Sequence, residues 1–384
     1  MKKIAIITAT RAEYGILIPL IRAVDTDSEL DLQLLVTGTH LSEKYGMTVK
    51  FIEEDGLRIT EKLPILSDGN TPYDVSLTMA NAICQFAEYF RKDRPDMVVI
   101  LGDRTEMLGA ASAAMNERIP IAHIHGGEVT EGAVDDCIRH ALSKMSYIHF
   151  TTTEEYRRRV IQLGEEPSRV FNVGSLGTEN ILKTRFLKEQ EIRDYIGISE
   201  HIPYAVATFH PVTLESNSVT EQVEELCAAM TQRADVFFLI TMSNADAGGD
   251  RANSILGKYA ASHSNARLIS NLGMVRYLSA VKYAAFMIGN SSSGVIEAPV
   301  LGTPTINIGD RQKGRIMAKS VINCEAKSDK ILQAINIAEK MEHIPSLLFG
   351  DGSTSKRMLK IIKGVLQSDK INLKKGFFDW KEDI

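Results

Sequence analysis

The chain of 384 residues is too long for one ordinary single-core domain, and at roughly 100–200 residues per domain two domains are expected. Hydrophobic residues make up 44% and charged residues 24%, which excludes disordered and fibrous classes. The formal net charge of −5 argues against a nucleic-acid-binding protein. No window approaches the roughly 18 apolar residues of a membrane span, and the four cysteines lie far apart. We therefore expect a cytoplasmic protein without disulfides.

Short apolar runs alternate with amphipathic helical stretches over residues 1–176. The predicted strands are Ile4–Thr8, Leu32–Thr37, Met97–Leu101, Ile119–Ile124, Tyr147–Thr151 and Val170–Val173, and the predicted helices are Gly15–Val24, Tyr73–Arg91, Thr105–Asn116 and Asp135–Ser143. Such alternation predicts a parallel sheet with helices on both faces.

The same alternation restarts after residue 176. The predicted strands here are Tyr204–Thr208, Val236–Ile240, Arg267–Ile269, Ala285–Ile288 and Thr305–Ile308. The expected fold class is therefore α/β, with two Rossmann-like domains, 1–176 and 177–352, facing a cleft. Ligands of open α/β sheets bind beyond the carboxyl ends of the strands, so functional residues are expected just after strands.

Charged residues follow two strands of the first half. Arg11 follows the first strand, where an arginine suits a phosphate, although a solvated surface arginine is the commoner interpretation. Asp103 directly follows the apolar strand Met97–Leu101, where an aspartate is either a helix N-cap or a site carboxylate.

Two histidines mark the end of the strand Ile119–Ile124. Alternation along the strand predicts that His123 and His125 share one face, as metal ligands do, but no third ligand has suitable spacing, so we expect no metal. Glu128 follows in the same turn. Asp135 opens the next helix, where the helix dipole favours acidic residues in any case.

Two loops of the second half carry polar residues after strands. His210 follows the strand Tyr204–Thr208 and is as readily a cap or core histidine as a ligand-binding one. Asn244 lies in a polar loop after the next strand, for which an Asx-turn is the simpler interpretation.

The most specific segment is a turn of small residues, 289–294, between a strand and a helix. Its backbone N–H groups and the hydroxyls of Ser291 and Ser292 suit a phosphate, and Glu297, one helical turn further, suits the hydroxyls of a ribose. The loop after the next strand adds Arg311 and Arg315, which either neutralise a diphosphate or form a solvated basic loop.

Taken together, eight segments resemble the hydrolysing UDP-N-acetylglucosamine 2-epimerases of bacterial sialic-acid and legionaminic-acid pathways. The segments are ITATRAEYG, VTGTHLSEKYG, GDRTEML, HGGEVTEGAVDDCIRH, FHPVT, SNADAG, GNSSSGVIEAP and GTPTINIGDRQKGR, in the family order. The resemblance implies the glycosyltransferase type B fold, with the nucleotide held mainly by the second domain. It also implies that the region 353–384 contains a final helix, here Ser353–Gln367, that packs back on the first domain.

The resemblance also implies roles for individual residues. Positions that bind UDP match Arg11, Arg104, His210, Asn244, Ser291, Ser292, Glu297 and Arg311. Catalytic carboxylates match Asp103 and Asp135, and histidines linked to activity match His40 and His123. Two positions depart from the pattern, because Gly15 replaces a serine of some relatives and His125 replaces the glutamate of the HIEGGE motif found in sialic-acid enzymes.

The expected function is the conversion of UDP-N-acetylglucosamine and water into N-acetylmannosamine and UDP through a glycal. This chemistry needs groups that bind the diphosphate and groups that transfer protons near the sugar, and candidates for the second task are Asp103, His125, Glu128 and Asp135. The alternatives are the same reaction on UDP-2,4-diacetamido-2,4,6-trideoxyglucose, a glycosyltransferase of the same fold, or a nucleotide-sugar-binding protein without catalysis. We expect no cofactor, no nucleic-acid or membrane partner, and a homodimer or homotetramer.

Overall fold

The computed structural model of the chain describes residues 1–69, 71–129, 134–210, 218–242, 249–270, 272–368 and 371–380. The strands are β1 Lys2–Thr8, β2 Leu30–Thr37, β3 Glu61–Leu63, β4 Met97–Leu101, β5 Ile121–Ile124, β6 Ile148–Thr151, β7 Val170–Asn172, β8 Tyr204–Thr208, β9 Phe237–Thr241, β10 Ala266–Ile269, β11 Phe286–Gly289, β12 Thr305–Ile308 and β13 Val321–Cys324. The helices are α1 Arg11–Asp25, α2 Val49–Glu54, α3 Pro72–Lys92, α4 Thr105–Asn116, α5 Val134–Met145, α6 Glu154–Gln162, α7 Leu176–Lys183, α8 Glu189–Ile196, α9 Ser218–Thr231, α10 Gly249–Ser262, α11 Met274–Tyr283, α12 Ser292–Val295, α13 Glu297–Leu301, α14 Ser328–Ala338 and α15 Thr354–Gln367.

The chain divides into two compact units. Unit 1 consists of Met1–Asn180 together with Phe349–Ile384, and unit 2 consists of Ile181–Leu348. Across the described ranges, no helix is both long enough and apolar enough to pass through a membrane.

Unit 1 is built on a seven-stranded parallel sheet in the order β3-β2-β1-β4-β5-β6-β7. Alternate residues of β1 enter different cores: Ile4 and Ile6 pack with one set of helices, and Ala5 and Ile7 pack on the opposite face. Because helices cover both faces of the sheet, the sequence of β4 is a continuous apolar run, and all five of its residues are buried.

Unit 2 repeats this architecture with a six-stranded parallel sheet in the order β10-β9-β8-β11-β12-β13. Ala205 and Ala207 face one core, whereas Tyr204 and Val206 face the other. In both sheets the order reverses next to the first strand of the unit, β1 or β8. Such a switch point is where open sheets form a ligand crevice.

Helix α15 and the segment after it belong to unit 1. Met358, Ile362 and Leu366 recur at every fourth position of α15 and enter the core that contains α1. Downstream, the Lys375 ammonium reaches a buried group of charges in unit 1, which we call the Glu165 cluster: Glu165, His149, Lys144 and Lys375. The Phe378 N–H donates to the Gly164 carbonyl at 3.0 Å and fastens the segment further.

Candidate active site

Four charged residues meet at the carboxyl edge of the unit 1 sheet, and we call them the Arg139 cluster: Arg139, Asp103, Glu128 and Asp136. The Arg139 guanidinium donates to the Asp103 carboxylate, to the Glu128 carbonyl oxygen at 2.9 Å and to Asp136 Oδ1 at 3.2 Å. The side chain of Arg139 is only 5% exposed, whereas those of Asp103 and Asp136 are 25% and 28% exposed. A buried cation therefore holds carboxylates whose outer faces remain open to a ligand.

His125 and Glu128 lie beside this cluster. The His125 Nδ1 atom is 3.7 Å from Glu128 Oε1, and the Thr152 hydroxyl donates to the same oxygen at 3.3 Å. No described residue is hydrogen-bonded to the buried His125 Nε2 atom. An imidazole with an unused nitrogen next to a carboxylate is suited to proton transfer.

His123 has a different environment, and the prediction that it shares a strand face with His125 is wrong. Strand β5 ends at Ile124, and His125 has a left-handed backbone with φ 68°, so strand alternation does not reach it. The His123 Nε2 atom donates to the Gly102 carbonyl at 2.7 Å, and Nδ1 is 3.2 Å from the Ser143 hydroxyl. Burial lowers the pKa of His123 to about 3, so the ring is neutral and holds the residue that precedes Asp103.

His40 is also a buried, neutral histidine. Its Nε2 atom lies 3.0 Å from the Thr8 hydroxyl, and its Nδ1 atom lies 2.8 Å from the Thr48 hydroxyl. Burial lowers the pKa of His40 to about 4. The ring therefore joins the end of β1 to the segment after β2, and both of its nitrogens are already in use.

Arg11 and Asp135, by contrast, are exposed residues of unit 1. Arg11 is the first residue of α1, and its guanidinium stacks over the Phe51 ring at 4.4 Å from the centroid. Asp135 lies in the first turn of α5, and its charge helps to raise the pKa of Arg104. Neither is drawn into the Arg139 cluster by a contact in the described part of the chain.

Arg104 is paired within unit 1. Its guanidinium donates to Glu106 at 2.8 Å, and the side chain of Glu106 is only 5% exposed. Glu13 lies close enough to Arg104 for the two charges to interact, and burial raises the pKa of Glu13 to about 7. The Glu13 carboxylate also accepts from two backbone N–H groups at the start of α1, where it completes a capping box.

In unit 2 the buried residue Asn290 joins three loops at the carboxyl edge of the sheet through its side chain and its backbone carbonyl. Its amide exchanges two hydrogen bonds with the backbone of His210, at 2.6 and 2.7 Å. The backbone carbonyl of Asn290 accepts from Arg311 at 3.1 Å and from the Gln312 side-chain amide at 2.8 Å. Gly289 precedes it with φ 132°, and a Cβ atom there would lie 1.9 Å from the Thr208 carbonyl, so only glycine permits this approach.

The turn after β11 carries the predicted phosphate hydroxyls. Ser291 caps α12 and accepts from the Ser293 N–H at 3.3 Å, and Ser291 and Ser292 are both partly exposed. The prediction that Glu297 lies one turn into the same helix is wrong, because α12 ends at Val295 and Glu297 begins α13. Burial raises the pKa of Glu297, and a hydrogen bond from Ser293 opposes that shift.

The remaining predicted UDP residues of the second half are Arg315 and Asn244. Arg315 lines a cavity of about 720 Å³ at the carboxyl ends of β12 and β13, together with Lys313 and Asp310. Asn244 lies outside the described residues. Sequence reasoning did not select Arg139, although its position four residues after Asp135 on a helix is a charge-pairing signal.

Comparison with known proteins agrees with this architecture. The profile of the UDP-N-acetylglucosamine 2-epimerase family matches residues 22–363. The GDP/UDP-N,N'-diacetylbacillosamine 2-epimerase (hydrolyzing) of Campylobacter jejuni is 42% identical over 325 residues, which cover 84% of each chain. The polysialic acid biosynthesis protein P7 of Escherichia coli is 41% identical over 345 residues, 90% of this chain and 88% of that protein.

Solved structures share the fold. UDP-GlcNAc 2-epimerase from Neisseria meningitidis, bound to UDP-GlcNAc, has a TM-score of 0.79 at 18% identity and covers 95% of this chain and 100% of its own. The enzyme from Methanocaldococcus jannaschii has a TM-score of 0.77 at 20% identity, with coverages of 94% and 99%. The prediction of an α/β fold of the glycosyltransferase type B class, with two Rossmann-like domains, is confirmed.

The profile match and these identities show that the chain belongs to the UDP-N-acetylglucosamine 2-epimerase family. Within that family it belongs with the hydrolysing enzymes, and it is a UDP-sugar 2-epimerase.

Proposed function

We propose that the enzyme converts UDP-2,4-diacetamido-2,4,6-trideoxyglucose and water into UDP and 2,4-diacetamido-2,4,6-trideoxymannose. The observation that carries the chemistry is the Arg139 cluster, in which one buried guanidinium holds Asp103 and the Glu128 backbone at a single edge of the sheet. Several proton-transfer groups beside one sugar ring are what an epimerisation at carbon requires.

The reaction consists of an elimination followed by a hydration. In the first step the C1–O bond breaks and its electron pair leaves with the β-phosphate, while a base removes the C2 proton and a C1–C2 double bond forms. In the second step water adds at C1, and an acid returns a proton to C2 from the opposite face. The sum is one sugar nucleotide and one water giving UDP and the free 2-epimer.

The groups of unit 1 suit the proton transfers. Asp103 and Glu128 act on the sugar, and His125 takes the part that a glutamate plays in the sialic-acid enzymes. Asp135 stays a predicted second carboxylate. His123 and His40 act through their neighbours, because both of their ring nitrogens are already hydrogen-bonded to groups of unit 1.

Unit 2 provides the groups that suit the leaving diphosphate. Ser291 and Ser292 present hydroxyls at the turn after β11, Arg311 is held at the same edge by Asn290, and Glu297 suits the ribose. Cations and hydroxyls that stabilise the departing oxyanion lower the barrier to the first step. We propose that the nucleotide is held mainly by unit 2 and that the sugar chemistry belongs to unit 1.

Two sugar nucleotides are candidate substrates, and we rank them by the residue at position 125, which is a histidine in this chain. The relatives at 42% and 41% identity bear names from the diacetylbacillosamine and polysialic-acid routes and do not discriminate between the sugars. The glutamate of HIEGGE goes with the sialic-acid enzymes that the sequence resembles, and this chain has His125 instead. UDP-N-acetylglucosamine is therefore the second candidate, favoured by the resemblance to the polysialic-acid protein.

The test is to incubate the enzyme with each sugar nucleotide alone and to compare kcat/KM for UDP release. We expect free UDP and a 2-epimerised free sugar from both, with the diacetamido compound at least tenfold better. A His125→Glu variant should narrow or invert that ratio, while His201→Glu, at an exposed position in unit 2, should leave it unchanged. A wild-type preference for UDP-N-acetylglucosamine would reverse the substrate order, and UDP release that requires an acceptor would indicate a glycosyltransferase.

A further inference from the structure

Three consecutive threonines stand at the carboxyl end of β6, and their hydroxyls have different partners. The Thr151 hydroxyl lies 3.3 Å from each of two backbone carbonyl oxygens. The Thr153 hydroxyl accepts from a backbone N–H in the first turn of α6 at 3.2 Å and caps that helix. The Thr152 hydroxyl instead donates to a side chain, the Glu128 carboxylate. Two of the threonines thus serve the local backbone, and Thr152 reaches the turn after β5.

The parallel pairing of β5 with β6 brings Thr152 to Glu128. The His125 N–H donates to the Phe150 carbonyl at 3.0 Å and continues the pairing of the two strands into the turn after β5. The Arg139 guanidinium holds the backbone of the same turn, since it donates to the Glu128 carbonyl oxygen at 2.9 Å. The Glu128 side chain therefore starts from a fixed backbone position beside Thr152.

The Thr152 hydroxyl has little freedom to point elsewhere. The residue is only 3% exposed, and a β-branched side chain has few rotamers open to it in packed surroundings. Within the described ranges its only hydrogen bond is the one to Glu128 Oε1, at 3.3 Å. Because a hydroxyl has a single proton, that proton is committed to Oε1.

The two oxygens of the Glu128 carboxylate consequently have different surroundings. Oε1 receives the Thr152 hydroxyl and also faces His125 Nδ1 at 3.7 Å. Oε2 forms no hydrogen bond with any described residue, and it remains accessible in a side chain that is 29% exposed. Oε1 can accept from Thr152 whether the carboxyl group is ionised or protonated, so the proton that Glu128 gains or loses belongs to Oε2.

We propose that Thr152 is a positioning residue that holds Glu128 Oε1 and so makes Oε2 the atom through which Glu128 exchanges a proton with the sugar. In this exchange Oε2 gains the proton that the sugar loses, or gives up the proton that the sugar gains. The inference rests on the proposed action of Glu128 on the sugar, and it adds the residue that orients the carboxylate and the oxygen that reacts. A group that is held in its reacting orientation beforehand needs no reorganisation during the reaction.

The test compares Thr152→Val with Thr151→Val, a matched change of the neighbouring residue. Valine keeps the shape of threonine and removes the hydroxyl, and both threonines are buried at the same strand end. The assay is UDP release from the sugar nucleotide that the wild type hydrolyses faster. We expect kcat to fall about tenfold in Thr152→Val, the size of one lost hydrogen bond to a carboxylate, with KM and UDP affinity unchanged. Thr151→Val removes backbone contacts only, so it should lower the melting temperature and leave kcat unchanged.

Further variants separate the hydroxyl from packing. Thr152→Ser keeps the hydroxyl and should therefore keep most of the wild-type kcat. In a Glu128→Gln background, Thr152→Val should cause no additional loss, because both changes act through one carboxylate. Thr152→Ala allows the same comparisons if the valine variant does not fold.

Wild-type kcat in Thr152→Val would overturn the inference, and so would additional loss in the Glu128→Gln background. A serine variant as slow as the valine variant, or an equal loss of kcat in Thr151→Val, would also overturn it, because both patterns report a packing defect at the end of β6. These outcomes leave UDP release by the wild type intact. If the wild type released no UDP from either sugar nucleotide, the proposed function would fail, and this inference would fail with it.

Discussion

Unit 1 contains two clusters built from the same chemistry, carboxylates facing cations, and they differ in what solvent can reach. In the Arg139 cluster the cation is buried and the carboxylates of Asp103 and Asp136 are about a quarter exposed. In the Glu165 cluster the side chains of Glu165 and His149 are 2% and 0% exposed.

The Glu165 cluster presents no open carboxylate face to a ligand, because the side chain of Glu165 is only 2% exposed. Lys144 donates to one carboxylate oxygen of Glu165, and His149 and Lys375 donate to the other. The Lys375 ammonium completes its three bonds with the carbonyls of Lys144 and Ser146. The comparison indicates that a charge cluster acts on a substrate only where its carboxylates face outward, whereas a cluster with a buried carboxylate fastens one segment of the chain to another.

The largest effect expected from this contrast is the loss of turnover in Asp103→Asn. We expect kcat to fall by about 100-fold or more, as is typical of a general acid or base, with little change in UDP affinity. The matched control is Asp96→Asn, since Asp96 precedes the strand that Asp103 follows and pairs with Lys2 at the opposite end of β4. Wild-type turnover in Asp103→Asn would remove the catalytic assignment.

The converse change is Glu165→Gln, which should cost stability and spare the chemistry. It removes the nearly buried carboxylate to which Lys144, His149 and the half-buried Lys375 donate, and we expect the free energy of unfolding to fall by about 3 kcal/mol. Denaturant unfolding measures this change in the free energy of unfolding. The kcat value, measured at denaturant concentrations well below the unfolding transition, should be unchanged. Glu155→Gln breaks an exposed pair with Arg159 and should cost less than about 1 kcal/mol. If the two variants were equally stable, the Glu165 cluster would not hold the segment after α15.

Lowering the pH should reduce the stability of the protein through the Glu165 cluster. The pKa of Glu165 is lowered to about 2 from its ordinary value of 4.5 through hydrogen bonds from His149 and the two lysines, which outweigh the opposing effect of burial. A carboxyl with a depressed pKa stabilises the fold fully above pH 4.5 and loses that contribution as the pH falls toward 2. The lost contribution is about 3 kcal/mol by the linkage relation. Stability measured across this window should fall in the wild type and fall less in Glu165→Gln, and parallel curves would contradict the assignment.

The smallest expected effect is that of metal removal. Because Arg311 supplies positive charge at the carboxyl edge of the unit 2 sheet, EDTA should leave UDP release within about 20% of its untreated rate. Activity that is lost in EDTA and restored by a single divalent ion would show that Arg311 is not the charge-balancing group.

Most of the architecture could be predicted from the sequence because buried parallel strands are continuous apolar runs. The unpredicted strands β3 and β13 are short edge strands, and β3, with the sequence Glu-Lys-Leu, has neither an apolar run nor a clear alternation. Their positions are set by pairing with β2 and β12, which only the folded sheet provides.

The candidate site was predicted less completely, for a related reason. Residues directly after strands, such as Asp103, could be selected because strand ends converge at one edge of a parallel sheet. Arg139 lies in the middle of α5, and only the packing of that helix brings its guanidinium to Asp103. The left-handed backbone of His125 likewise breaks the alternation that a strand predicts, so its face could not be inferred from its spacing to His123.

The central claim is that the enzyme removes and replaces the C2 proton of a UDP-linked sugar while it releases UDP. It is tested most directly by running the reaction in D2O with UDP-2,4-diacetamido-2,4,6-trideoxyglucose as the only substrate and examining the products by NMR. We expect free UDP in equal amount to a free sugar of the manno configuration that carries one deuterium at C2. A released sugar that keeps the gluco configuration and its original C2 proton would contradict the account.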